Sequence, residues 1–203
     1  MRRFALLLGG PLLVGEGLRE RLKGYRLMAA DSGGRHALAL GLPLELWLGD
    51  FDSSPPWLQH ILPAPKEVLP REKDLTDGEA LVGKALELGA KEILLLGGIG
   101  GRLDHTLAHL ELAFLLAEKG VRAELADGLT RAFPLLPGLH TFPLEKGASF
   151  SLLPFPEATL AVEGARWNLP PTPLKATTLT LENQALGPIR IRVERGRAVL
   201  YLF

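Results

Sequence analysis

The chain has 203 residues and equal numbers of acidic and basic side chains, 23 of each, so a broad surface for nucleic acid is not expected. It has no cysteine, which excludes disulfides and thiolate metal sites and fits a reducing, cytoplasmic compartment. Sixteen prolines with only two Asn and two Gln favour a thermophilic source.

The N-terminal segment MRRFALLLGG combines two arginines with an apolar run, as a signal peptide does. No small-residue cleavage site follows it, so we predict a buried first strand that ends in a glycine turn. The chain has no run of eighteen apolar residues, and no membrane span is predicted.

Short apolar runs alternate with helical patterns from residue 1 to about residue 128. Strands are predicted over 4–10, 25–31, 44–50, 66–70, 91–98 and 121–128. Helices are predicted over 75–89 and 102–120; in the second, one apolar face is formed by Leu103, Leu107, Leu110, Phe114 and Ala117. This alternation predicts a mainly parallel sheet that helices cover on both faces.

From His140 onward, strand patterns follow one another without helices. They cover residues 148–155, 158–167, 176–183 and 189–203. The last pattern alternates apolar and charged residues from Ile189 to Glu194 and is predicted to turn at the sequence ERGR, residues 194–197. The chain is therefore divided into an α/β domain, 1–135, and an antiparallel β domain, 136–203. Because the second is small for a core of its own, we expect it to lean on the first or on another subunit.

Acidic residues occur where the predicted strands end. Asp31 and Asp50 each end a strand, and Asp52 lies in the turn after Asp50. Asp74 and Asp77 border the start of the next long helix. Singly, each has a structural interpretation: Asp74 or Thr76 as a helix N-cap, Asp77 as a first-turn acid, and Asp52 as a turn former. Together, carboxylates at one edge of a parallel sheet favour a bound Mg²⁺.

A glycine-rich turn follows the strand at 91–98. The sequence GGIGGR ends in Arg102, and Asp104 and His105 open the helix behind it. Glycine loops let backbone N–H groups approach an anion at a helix N-terminus, and arginine is a planar phosphate donor. The chain has neither the P-loop pattern nor the dinucleotide fingerprint. With the acids opposite, the pattern predicts a site for a metal-bound polyphosphate.

Four motifs in series resemble the thiamine pyrophosphokinase family. They are ADSGG (30–34), GDFDS (49–53), KDLTD (73–77) and GGRLDH (100–105), and GARWNL (164–169) resembles a further stretch of that family. The resemblance implies transfer of a pyrophosphoryl group from ATP to the hydroxyl of thiamine, with Mg²⁺ as cofactor and AMP as the second product. It also implies an α/β domain for ATP, a C-terminal β-sandwich domain and a homodimer.

The resemblance also assigns site residues. It implies Mg²⁺ ligands at Asp50, Asp52 and Asp77, which with Arg102 and Asp104 form the catalytic set. The implied ATP contacts are Asp31, Gly33, Asp74, Thr76, Gly100, Gly101, Arg102 and His105. Either Asp77 or Asp104 is a candidate to accept the hydroxyl proton, and His105 is a candidate base or phosphate donor.

Three positions depart from the family pattern: Ser32 replaces a glycine, His109 stands where Asn is common, and Glu182 stands where Ser is usual. The last falls in the stretch expected to contact thiamine. Candidate thiamine contacts are Asn183, Glu182, Tyr201 and Trp167, with a core role as the alternative for Tyr201 and Trp167.

Two other functions fit the same motifs. One is a pyrophosphokinase for another hydroxymethyl heterocycle, such as a pterin. The other is a sensor that binds Mg-ATP without turnover.

Overall fold

The structure, a computed structural model, describes residues 2–72, 74–175 and 177–203. Its strands are β1 (Arg3–Leu7), β2 (Arg26–Ala30), β3 (Leu46–Gly49), β4 (Lys66–Val68), β5 (Glu92–Leu96), β6 (Arg122–Ala126), β7 (Arg131–Leu135), β8 (Gly138–Phe142), β9 (Ser149–Ala165), β10 (Leu169–Lys175) and β11 (Asn183–Leu202). Its helices are α1 (Glu16–Arg21), α2 (Gly34–Leu40), α3 (Pro56–Ile61), α4 (Asp77–Glu87) and α5 (Leu103–Glu118), with a 3₁₀ turn at Asp31–Gly33.

The first six strands form the predicted parallel sheet, in the order β6–β5–β1–β2–β3–β4. The chain proceeds outward from β1 to β4 and then returns to place β5 on the other side of β1. The carboxyl ends of β1 and β5 therefore flank a topological switch point, which is where open α/β sheets bind ligands.

Helices cover this sheet on both faces, as the sequence predicts. On one face, Leu6 and Leu95 pack in a cluster with Leu81 of α4 and Phe114 of α5. On the other face, Leu7 packs in a cluster that includes buried residues of α2 and α3. The strands are apolar on both sides because neither face meets water.

The predicted apolar face of α5 is only partly right. Leu110 and Phe114 are buried, but Leu103 is 71% exposed and Leu107 is 45% exposed. The buried side also includes His109, Ala113 and Leu116. The first turns of the helix lie beside the glycine loop rather than over the sheet. The spacing of the apolar residues therefore predicted the start of the buried face wrongly.

β7 joins the parallel sheet to the C-terminal strands. Its Ala132 pairs with Leu125 of β6 on one side and with Tyr201 of β11 on the other, both antiparallel. The sheet then continues through β11 to β9 and β10, with β8 also paired to β11. Partner numbers on β9 fall from 163 to 150 as β11 runs from 190 to 202, which is an antiparallel register.

The C-terminal strands are longer than the sequence predicts. Residues 148–155 and 158–167 contribute to one strand, β9, and β11 runs through the predicted turn at 194–197. The turn prediction was wrong because Gly196, at φ +76°, lets β11 bend against Glu157 instead of reversing. The alternation itself is confirmed, since Ile189, Ile191 and Val193 are buried.

The predicted strand at 176–183 is also wrong. Residues 177–182 contain no strand, since 179–182 form a turn and a bend, and Ala176 lies outside the described residues. The Thr180 hydroxyl donates to the carbonyl of Leu152, and the Leu152 N–H donates to the Thr180 carbonyl at 2.9 Å, which fixes this segment as a loop. The strand lies instead at β10, whose three prolines are tolerated because it is an edge strand.

Within the described ranges, no helix is both long and apolar enough to cross a membrane.

Candidate active site

A cleft of about 790 Å³ opens at the carboxyl ends of β1 and β5. Its walls are the Gly9–Gly10 turn after β1, the glycine-rich turn after β5, and the start of α4. Every described residue that lines it falls between Leu8 and His109. The cleft is thus built by the parallel sheet alone, at the edge that the sequence predicts for a ligand.

Three carboxylates meet beside this cleft. Asp31, Asp50 and Asp77 each offer an oxygen, and these oxygens lie within 4.8 Å of one another. They come from the ends of β2 and β3 and from the first residue of α4. A group of carboxylate oxygens without imidazole or thiolate is the donor set that Mg²⁺ prefers.

Asp31 is the most buried member of this group, at 8% exposure. It takes a left-handed conformation, φ +40°, which Asp tolerates better than most residues. The Ser53 hydroxyl donates to Oδ2 at 2.5 Å, and the Ser54 hydroxyl donates to Oδ1 at 2.6 Å. The Trp47 indole N–H donates to the Asp31 carbonyl at 2.7 Å. Backbone and carboxylate are both held in place before any ligand arrives.

The turn at GDFDS separates its two acids. Phe51, at φ +60°, packs edge-on against Trp47 at 5.0 Å, so the backbone reverses between Asp50 and Asp52. The Asp52 N–H donates to Asp50 Oδ1 at 3.1 Å, and the Asp52 side chain is exposed. The three-carboxylate group includes Asp31 and does not include Asp52, whose role as a metal ligand stays a prediction.

Thr76 caps the start of α4, which is one of the structural roles that the sequence predicts for it. Its hydroxyl accepts the Glu79 N–H at 3.2 Å, which is an N-cap, and Asp77 opens the helix. Thr76 and Asp77 both line the cleft, whereas Asp74 is exposed and does not. One residue thus caps the helix and borders the site.

The second glycine turn carries a charged pair. The Arg102 guanidinium donates to Asp104 through Nε at 3.1 Å and through Nη2 at 2.5 Å. These hydrogen bonds lower the pKa of Asp104 to about 2. Gly100, Gly101, Arg102 and His105 all line the cleft, and their role as ATP contacts stays a prediction.

Gly33 has a packing role. A Cβ at this position would lie 2.1 Å from the Leu7 carbonyl oxygen, so glycine is needed for the close approach of the 3₁₀ turn to β1. Gly33 is not among the described residues that line the cleft.

Sequence reasoning did not assign several cleft residues to the site. The Gly9–Gly10 turn, Arg35, Arg71 and His109 all border the cleft. The glycine pair after β1 carried a signal, because it ends a strand beside the switch point. The arginines carried none, since arginine is common on any surface.

The four candidate thiamine contacts lie in the C-terminal region, outside this cleft. The Asn183 amide donates to the Trp167 carbonyl at 2.8 Å, and Asn183 Oδ1 accepts the Trp167 N–H at 3.2 Å. Trp167 is 56% exposed, and Glu182 has φ +54°. Tyr201 packs against the cluster that contains Phe114, and burial raises its pKa. The structure thus brings Trp167 and Asn183 together. Tyr201 packs instead against the hydrophobic cluster of the parallel sheet.

A second cavity, of about 570 Å³, lies where β5, β6 and β7 meet β8. Its charged groups form ion pairs and hydrogen bonds with one another. Glu124 pairs with Arg21 and Arg131. Glu92 pairs with Arg122 and accepts a hydrogen bond from the Tyr25 hydroxyl. The cleft at the switch point is the better candidate, because its carboxylates converge on one another.

Residues 23–125, just over half of the chain, match the family described as thiamin pyrophosphokinase, catalytic domain. This span contains Asp31, Asp50, Asp77 and the glycine-rich turn after β5. A comparison with curated protein sequences found no match.

Solved structures with the same fold cover almost the whole chain. A thiamine pyrophosphokinase from Bacillus subtilis is 20% identical with a TM-score of 0.84, over 98% of each chain. A thiamin pyrophosphokinase from Geobacillus thermodenitrificans is 25% identical with a TM-score of 0.81, over 98% of this chain and 96% of that one. One from Candida albicans is 15% identical with a TM-score of 0.82, over 99% of this chain and 88% of that one.

Proposed function

The chain belongs to the thiamin pyrophosphokinase family, and we propose from this premise that the switch-point cleft is where it transfers the diphosphate group of ATP to thiamine. The thiamine hydroxyl oxygen attacks the β-phosphorus, the bond from that phosphorus to the oxygen of AMP breaks, and the hydroxyl proton passes to a base. The observation that carries the proposal is that three carboxylates converge beside a cleft that two glycine turns also line.

The donor chemistry of the carboxylates supports Mg²⁺ as the cofactor. We propose that Asp31, Asp50 and Asp77 hold it, because each supplies a hard oxygen ligand from a different element. When bound, the ion neutralises charge on the phosphates and makes the β-phosphorus easier to attack.

The chain's own residues have distinct roles in this proposal. Ser53 and Ser54 orient Asp31, so that its position does not depend on the ligand. Arg102 supplies charge-assisted donors to the phosphates. Asp104 is a weak proton acceptor, because Arg102 lowers its pKa to about 2. Asp77 lines the cleft but is also a proposed metal ligand, so Asp77 and Asp104 both stay candidates for the acceptor of the hydroxyl proton.

We further propose that residues 136–203 form a β-sandwich unit that contacts thiamine and pairs two chains as a homodimer. The described lining of the cleft includes no residue from this unit. A thiamine site that uses Asn183, Glu182, Trp167 or Tyr201 therefore needs the unit of a second chain to face the cleft.

The reaction is tested by incubating the protein with Mg-ATP and separate candidate alcohols, and following AMP by chromatography. AMP that appears only with thiamine is the expected result. AMP formed only with a hydroxymethyl pterin assigns the chain to another heterocycle. ATP that binds without any AMP release would overturn the enzyme assignment and leave a sensor.

A further inference from the structure

Two glycine loops lie side by side at the cleft. The first glycine loop is Gly9–Gly10, after β1, and the second glycine loop is Gly97–Gly101, after β5. They touch, because the Gly10 N–H donates to the Gly97 carbonyl at 3.1 Å and a Cβ on Gly10 would lie only 2.2 Å from that oxygen.

A loop that binds phosphate has to turn its N–H groups toward the anion and its carbonyl oxygens away from it. A carbonyl aimed into the cleft would repel the phosphates, since its oxygen carries partial negative charge. What holds the loop carbonyls is therefore part of the binding site, even where it touches no ligand.

Two side chains donate hydrogen bonds to the carbonyls of the first glycine loop. Arg35 Nη2 donates to the Gly9 carbonyl at 2.6 Å and to the Gly10 carbonyl at 3.2 Å. His36 Nε2 lies 2.9 Å from the same Gly10 oxygen. Both donors come from α2, and Arg35 itself also lines the cleft.

The second glycine loop is held in the same way. His109 Nδ1 lies 3.0 Å from the Gly98 carbonyl, and the Thr106 hydroxyl donates to the Gly100 carbonyl at 3.3 Å. Both donors come from α5. With the Gly10 N–H on Gly97, five loop carbonyls have a donor, those of Gly9, Gly10, Gly97, Gly98 and Gly100.

The two imidazoles are the buried members of this set. His36 is 6% exposed and His109 is 9% exposed. A ring nitrogen beside a carbonyl oxygen has to carry the hydrogen, so His36 is protonated on Nε2 and His109 on Nδ1. Burial lowers the pKa of each histidine. Each therefore acts as a neutral N–H donor.

We propose that His36 and His109 are positioning residues for the nucleotide, which hold the carbonyls of Gly10 and Gly98 so that neither oxygen faces the phosphates. The proposal rests on the proposed function, since it assigns the cleft to ATP. It adds two residues that act on binding through the loops.

The test compares variants that keep the donor with variants that lose it. His36→Gln and His109→Asn retain an amide N–H at similar reach, whereas His36→Leu and His109→Leu do not. We expect each leucine variant to raise the Kd for ATP by about 5- to 15-fold, as loss of a buried hydrogen bond does. The KM for thiamine should stay within about twofold, since the loops face the phosphates. The amide variants should recover most of the ATP affinity.

His140→Leu is the matched control. His140 Nε2 lies 2.8 Å from the Leu136 carbonyl, but it lines the other cavity. Its loss removes the same kind of bond at a distance from ATP, so the Kd for ATP should not change. The melting temperature of every variant is measured by thermal unfolding. Titration calorimetry with ATP is then run at a temperature at which the variant is folded.

The outcomes separate this proposal from the proposed function. A wild-type protein that fails to bind ATP overturns both. Wild-type binding with unchanged affinity in both leucine variants overturns the positioning role alone, and so does an equal loss in His140→Leu. If His36→Leu does not fold, His36→Asn replaces it, because its amide is one methylene too short to reach the carbonyl. If His109→Leu does not fold, His109→Ala replaces it. The expected results are the same.

Discussion

Asp31 and Asp52 differ in how the fold holds their carboxylates. Asp52 sits in the stronger motif, yet its side chain is exposed and lies outside the three-carboxylate group. Asp31 is buried, and two serines of the next turn hold its oxygens. A carboxylate that is held in place before binding loses less freedom when it ligates a metal.

The first prediction tests the three-carboxylate group. We expect Asp31→Asn, Asp50→Asn and Asp77→Asn each to lower kcat by about 10²- to 10³-fold, because each removes a charged ligand from the proposed Mg²⁺ site. Asp52→Asn should cost less than about tenfold. Turnover is measured across a Mg²⁺ titration, with circular dichroism to confirm folding. An Asp31→Asn enzyme with wild-type turnover at limiting Mg²⁺ would show that the group does not bind the metal.

The elements that shape the cleft are the turns after β1 and β5. Their glycines are required by contact, because the Gly10 backbone approaches Gly97 more closely than any Cβ would allow. Gly97, Gly100 and Gly101 also have positive φ, where other residues are strained. The two loops therefore depend on each other, and we expect a change in one to reach the proposed phosphate site through the other.

The second prediction tests this dependence. We expect Gly10→Ala to push the two loops apart and to raise the Kd for ATP by at least about tenfold, with a loss of stability of about 1–3 kcal/mol from overpacking. Gly17→Ala is the control, since a Cβ there has no neighbour within 4 Å and the residue lies in α1. That variant should bind ATP as the wild type does. Equal ATP affinity in both variants would argue against close contact of the loops.

At the scale of the whole molecule, the C-terminal strands continue the sheet that bears the site. β7 pairs with both β6 and β11, so the two halves share one hydrogen-bonded framework. The C-terminal region still has its own core, which includes Leu152, Leu160 and Ile191. It also exposes large apolar side chains, among them Trp167, Leu179 and Leu186. Such residues are expected to be covered by a partner.

The third prediction concerns assembly. Sedimentation at micromolar concentration should show twice the chain mass of 22.0 kDa, as a two-fold dimer requires. Trp167→Glu combined with Leu186→Glu should shift the protein toward monomer, because charge at a buried interface is costly. Val68→Glu, at an exposed residue of β4, should leave the mass unchanged. A wild-type monomer would contradict the homodimer and with it the shared thiamine site.

The sequence by itself determined the parallel sheet, the acids at its carboxyl edge, the glycine loop with Arg102, and the family. These features are local: apolar runs mark strands, and motifs keep their spacing along the chain. It also identified Thr76 as a possible N-cap, which the structure confirms. It failed for 177–182 and 194–197, where pairing with β9 and a buried threonine outweighed local patterns.

Only the tertiary structure decided which acids converge and what holds the loops. Asp31, Asp50 and Asp77 meet because β2 and β3 end and α4 begins at one edge of the sheet, and their separations depend on strand order rather than on spacing. The bonds from His36 to Gly10 and from His109 to Gly98 join residues 26 and 11 positions apart. No periodicity encodes such contacts, because a side chain's partner across elements is set by how the elements pack.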